Sequence, residues 1–586
     1  MIHPRRFTWE DEHRHPLRAL TLVVIAAWFV FGLTLLPRFG LHYDEVLFVN
    51  AATNGFTGSS GAEDLFVARR VFGVPVLLMD YIGALKSWVF MPIFAAVHPS
   101  VWSIRIPALA LGGYGIWVSS KAIKGPFAIY LQPLLAAILA TSVTPTLLLT
   151  FDFGPVGIAF VLQALLIVIL VKTVQIPSEE RLPLFLLGLS LGLVGVFNKL
   201  DFLIFALPCL LALAIVSHKA VRQFSSRRPI FVSALFVGLL TAAILISSYM
   251  LVPARSAAGG TRLPNLNRLL TSSGQLWDFL TGRGFSQFNS YRPDQGPWLL
   301  PLFAAALLPT AWSGLASIRR LLRGRHVRRS VDPLDAAGLL ILVLVGTLIM
   351  FALTEGARRP WHAMAIWPLL PISSCLAIQS ALISRRRSLA DTRPRRGVSF
   401  LLTVALVGSL VTMYSGSQSL VLYQVASSKE DVSLFWSDAP EQVASRLANF
   451  AAVHTGEVVA YTTGWGIGTQ IKVYLSQQDN VTLIDSWPWF SSDGLETISS
   501  KLEWTRANWI PPTKSPPQVV LLEILPGTSA NLSEQPESAR FKASEAAAKI
   551  RLWCGSSKQP RAVLSGVAIW DLPCLGRQPN PEVHDL

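Results

Sequence analysis

The sequence predicts a polytopic α-helical membrane protein with a small soluble α/β domain at its C-terminus. Three observations carry this. The 586 residues are 52% hydrophobic and only 15% charged, where soluble domains carry about 25% charged residues. Uncharged apolar runs alternate with short arginine-rich connectors as far as Ser415, after which the composition becomes that of an ordinary soluble domain. The basic clusters, once each run is counted as a crossing, fall on one side of the bilayer. The chain divides into a membrane domain, residues 1–420, and a soluble domain, residues 421–586, of a size that can fold as a unit.

A hydrocarbon core about 30 Å thick needs about 20 apolar residues of helix. Such runs cover residues 19–37, 106–120, 125–151, 153–171, 182–198, 202–217, 231–252, 297–317, 336–353, 361–384 and 398–415; these make about eleven transmembrane helices. The first run is long for a signal-peptide core and has no small-residue cleavage site behind it, so it reads as a retained anchor. Residues 74–98 are apolar too, but Asp80 and Lys86 interrupt them, and the stretch reads as an interfacial helix. Charge decides this. With a cytoplasmic N-terminus and no crossing at 74–98, the clusters from Arg5 to Arg18, Lys219 to Arg228, Arg319 to Arg329 and Arg385 to Arg396 share the cytoplasmic side, as the positive-inside rule requires. A crossing there would split the early clusters from the late ones. The outer loop 39–105, the loop 253–296 and the soluble domain then lie outside. The net charge of +15 belongs to this topology and does not indicate nucleic acid as a partner.

In the soluble domain, residues 439–450 have helical spacing, and 458–462, 519–522 and 563–569 read as strands. Gly464-Trp465-Gly466-Ile467-Gly468 lacks the spacing of a dinucleotide loop and reads as a tight turn between a strand and a helix. Cys209 and Cys375 lie in apolar runs as packing residues. Cys554 and Cys574 could join as a disulfide in an oxidising compartment. No CxxC pair points to zinc, and no repeat of fixed period is visible.

The polar residues that interrupt apolar sequence all fall at the outer face. Asp44-Glu45 follows the first span by a few residues; a helix N-cap and its first-turn partner would look the same. Asp152 stands between two apolar runs that need no charge, which makes it a functional candidate, although Asp before Gly154-Pro155 is also a turn signal. Lys199, in Asn198-Lys199-Leu200-Asp201, either snorkels or meets a lipid phosphate as a point charge. Arg105 sits at another outer boundary and could pair with Asp152. Arg358, Arg359 and His362 form an outward basic cluster against the positive-inside pattern, which favours an anionic ligand. A carboxylate can serve as base on an acceptor hydroxyl while cations stabilise a departing phosphate.

Taken in order, these residues resemble the GT-C superfamily of membrane glycosyltransferases, and most of all its protein O-mannosyltransferase and aminoarabinose-transferase branch. Asp44-Glu45 matches the family's acidic pair early in the first outer loop. Residues Tyr81 to Lys86 and Arg105-Ile106-Pro107 are similar to its amphipathic loop helices and Arg-x-Pro helix start. Asp152 stands where the family has a second outer-loop aspartate, and Lys199 where it has a lysine on the lipid phosphate. The proline pair common before the loop helix is reduced here to Val74-Pro75. The likeness is clearest over residues 19–217. It implies a GT-C fold and transfer of a sugar from a polyprenyl-phosphate donor to an acceptor (protein, lipid or glycan) outside a bacterial inner membrane. It also implies inversion, with Asp44 as base, Glu45 and Asp152 orienting the acceptor or tuning Asp44, and Lys199 holding the donor phosphate with help from Arg105, Arg358, Arg359 and His362. Use of a divalent metal varies in the superfamily, and no metal is assigned here; a lone His42 near Asp44 is ordinary loop chemistry. The competing reading is a lipid-linked sugar transporter or flippase, but transporters place polar residues at the midplane and carry internal repeats.

Overall fold

A computed structural model describes residues 14–54, 69–225 (except 73, 80, 81, 126, 152, 153 and 177–180), 333–353, 360–388 and 438–573. The last segment has breaks at 454–456, 464–466, 476–477, 479, 487–496, 499, 501, 503–516, 526–536, 557–558 and 565–566. The expected spans at 231–252, 297–317 and 398–415 lie outside the described residues.

Helix α1 (Arg14–Leu35) runs into a 3-10 turn, Leu36–Arg38, and then α2 (Tyr43–Asn54). Three short strands follow: β1 (Arg69–Val71), β2 (Val74–Met79) and β3 (Ile82–Gly83), paired antiparallel in that order. Helices α3 (Leu85–Ala96), α4 (Val101–Ser120), α5 (Ala128–Thr141), α6 (Val143–Thr150), α7 (Val156–Gln175) and α8 (Arg181–Asn198) come next, then a 3-10 turn at Leu200–Phe202 and α9 (Leu203–Ser225). The membrane part closes with α10 (Pro333–Leu353), a 3-10 segment Pro360–Ala365 and α11 (Leu369–Ser388). Among the described residues six helices are long and apolar enough to cross a membrane. Their outward faces are greasy: Leu22, Val23 and Val30 on α1, Leu207 and Leu211 on α9, and Val345 and Ile349 on α10 are exposed. In water such faces would be a liability, and lipid removes it.

Three stretches of the membrane part differ from the sequence expectation; in one, residues 361–384, a 3-10 segment Pro360–Ala365 comes first and the helix starts only at Leu369. Residues 74–98 hold two strands and a helix instead of one interfacial helix. The helix has 12 residues, so it spans about 18 Å and falls short of a crossing. Residues 125–151, expected as one span, break at Ser142, whose backbone is extended. Pro145 has no N–H to continue the hydrogen-bond ladder, so the helix stops and restarts just ahead of it.

Small residues let the helices meet. Gly115 on α4 faces α7, and a Cβ built there would lie 2.4 Å from the buried Phe160 ring. Gly115→Val is therefore expected to cost about 1–3 kcal/mol by overpacking, read as a lower thermal midpoint in detergent; an unchanged midpoint would mean that the α4–α7 seam yields.

The C-terminal part, expected as a soluble domain, holds α12 (Ala439–Val453), β4 (Val458–Thr462), α13 (Ile467–Tyr474), β5 (Val481–Asp485), β6 (Gln518–Ile524), α14 (Glu537–Trp553), β7 (Ala562–Leu564) and β8 (Val567–Asp571). The sheet order is β5-β4-β6-β8-β7, parallel over β5-β4-β6 and antiparallel beyond. Residues 563–569, expected as one strand, are parts of the β7–β8 hairpin, with Ser565-Gly566 between them in sequence. Residues of α12 pack against Val458, Ala460, Val520 and Leu522, and those of α14 against Val459, Tyr461, Val519 and Leu521. Burial on both faces explains why β4 and β6 read as unbroken apolar runs. Cys554 is disulfide-bonded, whereas Cys209 and Cys375 are buried thiols; Cys574 lies outside the described residues.

Candidate active site

The site is built where the loop after α1 turns into α2. His42 is the N-cap. Its carbonyl accepts from the Glu45 and Val46 N–H groups, and its ring Nδ1 accepts the Asp44 N–H at 3.1 Å. Glu45 reaches back and accepts the His42 N–H at 2.9 Å. Glu45 makes the return half of a capping box, while the imidazole caps the N2 N–H. This cap puts Asp44 and Glu45 in the first turn of α2, where carboxylates meet the positive end of the helix.

The two carboxylates have different surroundings. Glu45 and Arg105 are both fully buried. Arg105 Nε donates to Oε2 at 2.6 Å and Nη2 to Oε1 at 2.7 Å. The other N–H groups donate to the carbonyls of Leu36 (2.6 Å), Phe39 (2.9 Å) and Gly40 (2.6 Å), and the guanidinium carbon lies 4.8 Å from the Phe151 ring centroid. A guanidinium has five N–H donors, and these contacts use them all. The expected partners of Arg105, Asp152 and a donor phosphate, are thus replaced by Glu45 and three carbonyls. Glu45, expected to orient the acceptor or to tune Asp44, has its two oxygens engaged by Arg105 and the His42 N–H. Burial pushes the Glu45 carboxyl up, against the pull of Arg105 and the His42 N–H.

Asp44 keeps the accessible carboxylate of the pair. Its side chain is 28% exposed, with Oδ2 at 3.8 Å from His42 Nδ1. Burial, aided by Arg105, drives His42 down to about 3, so the ring beside Asp44 is neutral at pH 7. A base held neutral stabilises the fold above its unfolded-state value of about 6.5, and that contribution is lost as pH falls from there to about 3. The thermal midpoint is expected to drop across this window. His42→Asn, whose amide oxygen can still cap α2, is expected to flatten the drop; an equally steep profile would assign it to other groups.

Asp152, Arg358 and Arg359 lie outside the described residues. The neighbours of position 152 are firmly held. The Phe151 ring stands edge-on to Phe39, centroids 5.0 Å apart. The Gly154 carbonyl accepts from Lys86 Nζ at 2.6 Å, and the Pro155 carbonyl accepts from Asn198 Nδ2 at 3.2 Å. Lys86 is buried, its ammonium 4.4 Å from the Phe48 ring centroid. Lys199 follows Asn198 and bridges by its backbone to Ile82 of β3. Its Nζ lies 2.9 Å from Asp201 Oδ2, and His362 Nδ1 lies 2.8 Å from the same oxygen. Lys199 and His362, far apart in sequence, thus meet on one carboxylate.

Lys86 and Asp201 are the members that sequence reasoning leaves without a role. A lysine inside an apolar stretch is by itself a functional signal; at 86 it serves only as evidence against a crossing. Among the described residues no three His, Cys, Asp or Glu side chains gather as a metal site.

No family model matches the chain, and no curated protein matches it by sequence. Solved structures do. ArnT from Cupriavidus metallidurans, in its apo state, is 13% identical with a TM-score of 0.52, over 95% of this chain and 98% of that one. The oligosaccharyltransferase of Archaeoglobus fulgidus, also apo, is 11% identical with a TM-score of 0.44, over 90% of this chain and 72% of that one. At this identity the end-to-end likeness to ArnT speaks for the fold. The chain has the fold of that polytopic membrane protein, in line with the fold that the resemblance implies.

Proposed function

We propose that the protein is a membrane glycosyltransferase that moves a hexose or pentose from a polyprenyl-phosphate carrier to an acceptor hydroxyl at the outer face of the membrane, with inversion and with Asp44 as general base. The observation that carries this reading is the division of the acidic pair. Glu45 is consumed by Arg105, while Asp44 presents a carboxylate beside a neutral imidazole.

In this mechanism Asp44 takes the acceptor's hydroxyl proton as the oxygen attacks the anomeric carbon. The bond from that carbon to the phosphate oxygen breaks, and the lipid phosphate leaves with the electron pair. Lys199 and His362, shared in the resting site by Asp201, would turn to the departing phosphate, with Arg358 and Arg359 adding charge. Asp152 would orient the acceptor on the turn that Lys86 and Asn198 hold. The N-terminus is assigned to the cytoplasm and the soluble domain to the outside of a bacterial inner membrane. The Cys554 disulfide supports an oxidising side for that domain.

The test is transfer. Purified protein is offered labelled sugars on a panel of polyprenyl phosphates, with native membrane extract as acceptor. Label passing from one donor class to the extract is the expected result. Failure with every donor, together with movement of the lipid-linked sugar across liposomes, would replace the transferase by a flippase.

A further inference from the structure

We infer that α13 of the soluble domain positions the Asp44 helix, with Gln470 and Asn50 as the positioning residues. The inference rests on the transferase reading for its catalytic consequence and on geometry alone for the docking.

The argument starts from the loop that leads into α2. Residues Phe39 to His42 belong to no helix or strand, so their buried backbone groups need tertiary partners. The carbonyls of Phe39 and Gly40 are taken by Arg105 from α4, and the N–H and carbonyl of His42 by the cap itself. Leu41 lies between them, 1% exposed, and its partners come from the other domain. Gln470 Nε2 donates to its carbonyl at 2.5 Å, and the Tyr474 side chain packs against the apolar cluster that Leu41 belongs to. Val473 of α13 fills a cluster with Leu41, Val46, Val49 and Ile104. Further along α2, Asn50 Nδ2 donates to the Thr469 carbonyl at 3.1 Å. One side of the loop is therefore held by Arg105 and the other by α13, and Asp44 lies three residues beyond the shared point. Shifting a reacting group by 1 Å costs about 100-fold in rate, so the docking decides whether Asp44 is in reach of its acceptor.

Gln470→Met keeps the volume and removes the donor to Leu41; Asn50→Leu keeps the volume and removes the donor to Thr469. Each is expected to lower kcat by about 10- to 100-fold, to leave the donor KM near wild type, and to speed amide exchange in the peptide spanning residues 41–50 while α14 and the sheet stay protected. A merely structural role would move the thermal midpoint and the exchange of the whole soluble domain together. Unchanged exchange over 41–50 in both variants overturns the docking. Faster exchange with unchanged kcat overturns the positioning. Should the wild type transfer from no donor, the transferase reading falls, and the exchange comparison alone supports or overturns the hold of α13 on this loop.

Discussion

Asp44→Asn is expected to lower sugar transfer by about 100- to 10,000-fold, the usual worth of a positioned general base, with the protein still folded. Asparagine has the shape of aspartate but cannot take a proton. The structure explains why the fold survives. The Asp44 N–H, not its carboxylate, serves the cap; Glu45 makes the return bond and the buried ion pair. The variant gives up a charge at a helix N-terminus, worth about 0.3–1 kcal/mol. Glu45→Gln is the contrasting case: it should unsettle the protein because Arg105 then lacks its anion. Parallel measurement of transfer and thermal midpoint separates the two. If Asp44→Asn transferred normally while Glu45→Gln kept its stability and lost transfer, the base would have to be reassigned to Glu45.

The legibility of this chain follows from physical range. Apolar length is a local property, and it delivers the membrane class and the ends of α8 and α10 to within about three residues. The order of the polar motifs carries the resemblance that implies the fold. Pairing across the fold is less visible. Nothing local ties Arg105 to Glu45, 60 residues away, or His362 to Asp201, 161 away; each charge reads as a free ligand until the helices are brought together. Helix breaks are hidden for a different reason. Hydropathy averages across Ser142, and only Pro145 marks the restart of α6. The grip of α13 on Leu41 is the least legible of all, because its acceptor is a backbone carbonyl, which sequence does not distinguish from any other.

Arg105→Met is expected to be the most destabilising single change in the site, by about 3–5 kcal/mol, the cost of stripping one partner from a buried ion pair. Four losses coincide: the anion's counter-charge, and the donors to the Leu36, Phe39 and Gly40 carbonyls. Lysine is no remedy, since an ammonium cannot reproduce a planar fork that spans a carboxylate and three carbonyls. The pH dependence should change as well. Burial already pushes the Glu45 carboxyl up, and without Arg105 nothing of comparable strength pulls it back. A carboxyl raised in the folded state binds its proton more tightly there than in the unfolded chain. Its contribution is complete below the unfolded value of about 4.3 and is lost as pH rises through the folded-state value. The variant should therefore be more stable in mild acid than at neutrality once the His42 contribution is removed by His42→Asn in the same background. Glu45→Met added to Arg105→Met should recover part of the loss by removing the orphaned charge, leaving the three carbonyls as the remaining defect. If the double variant were no more stable than Arg105→Met, the carbonyl bonds would outweigh the ion pair, and Arg105 would act on this site as a backbone clamp first and a counter-ion second.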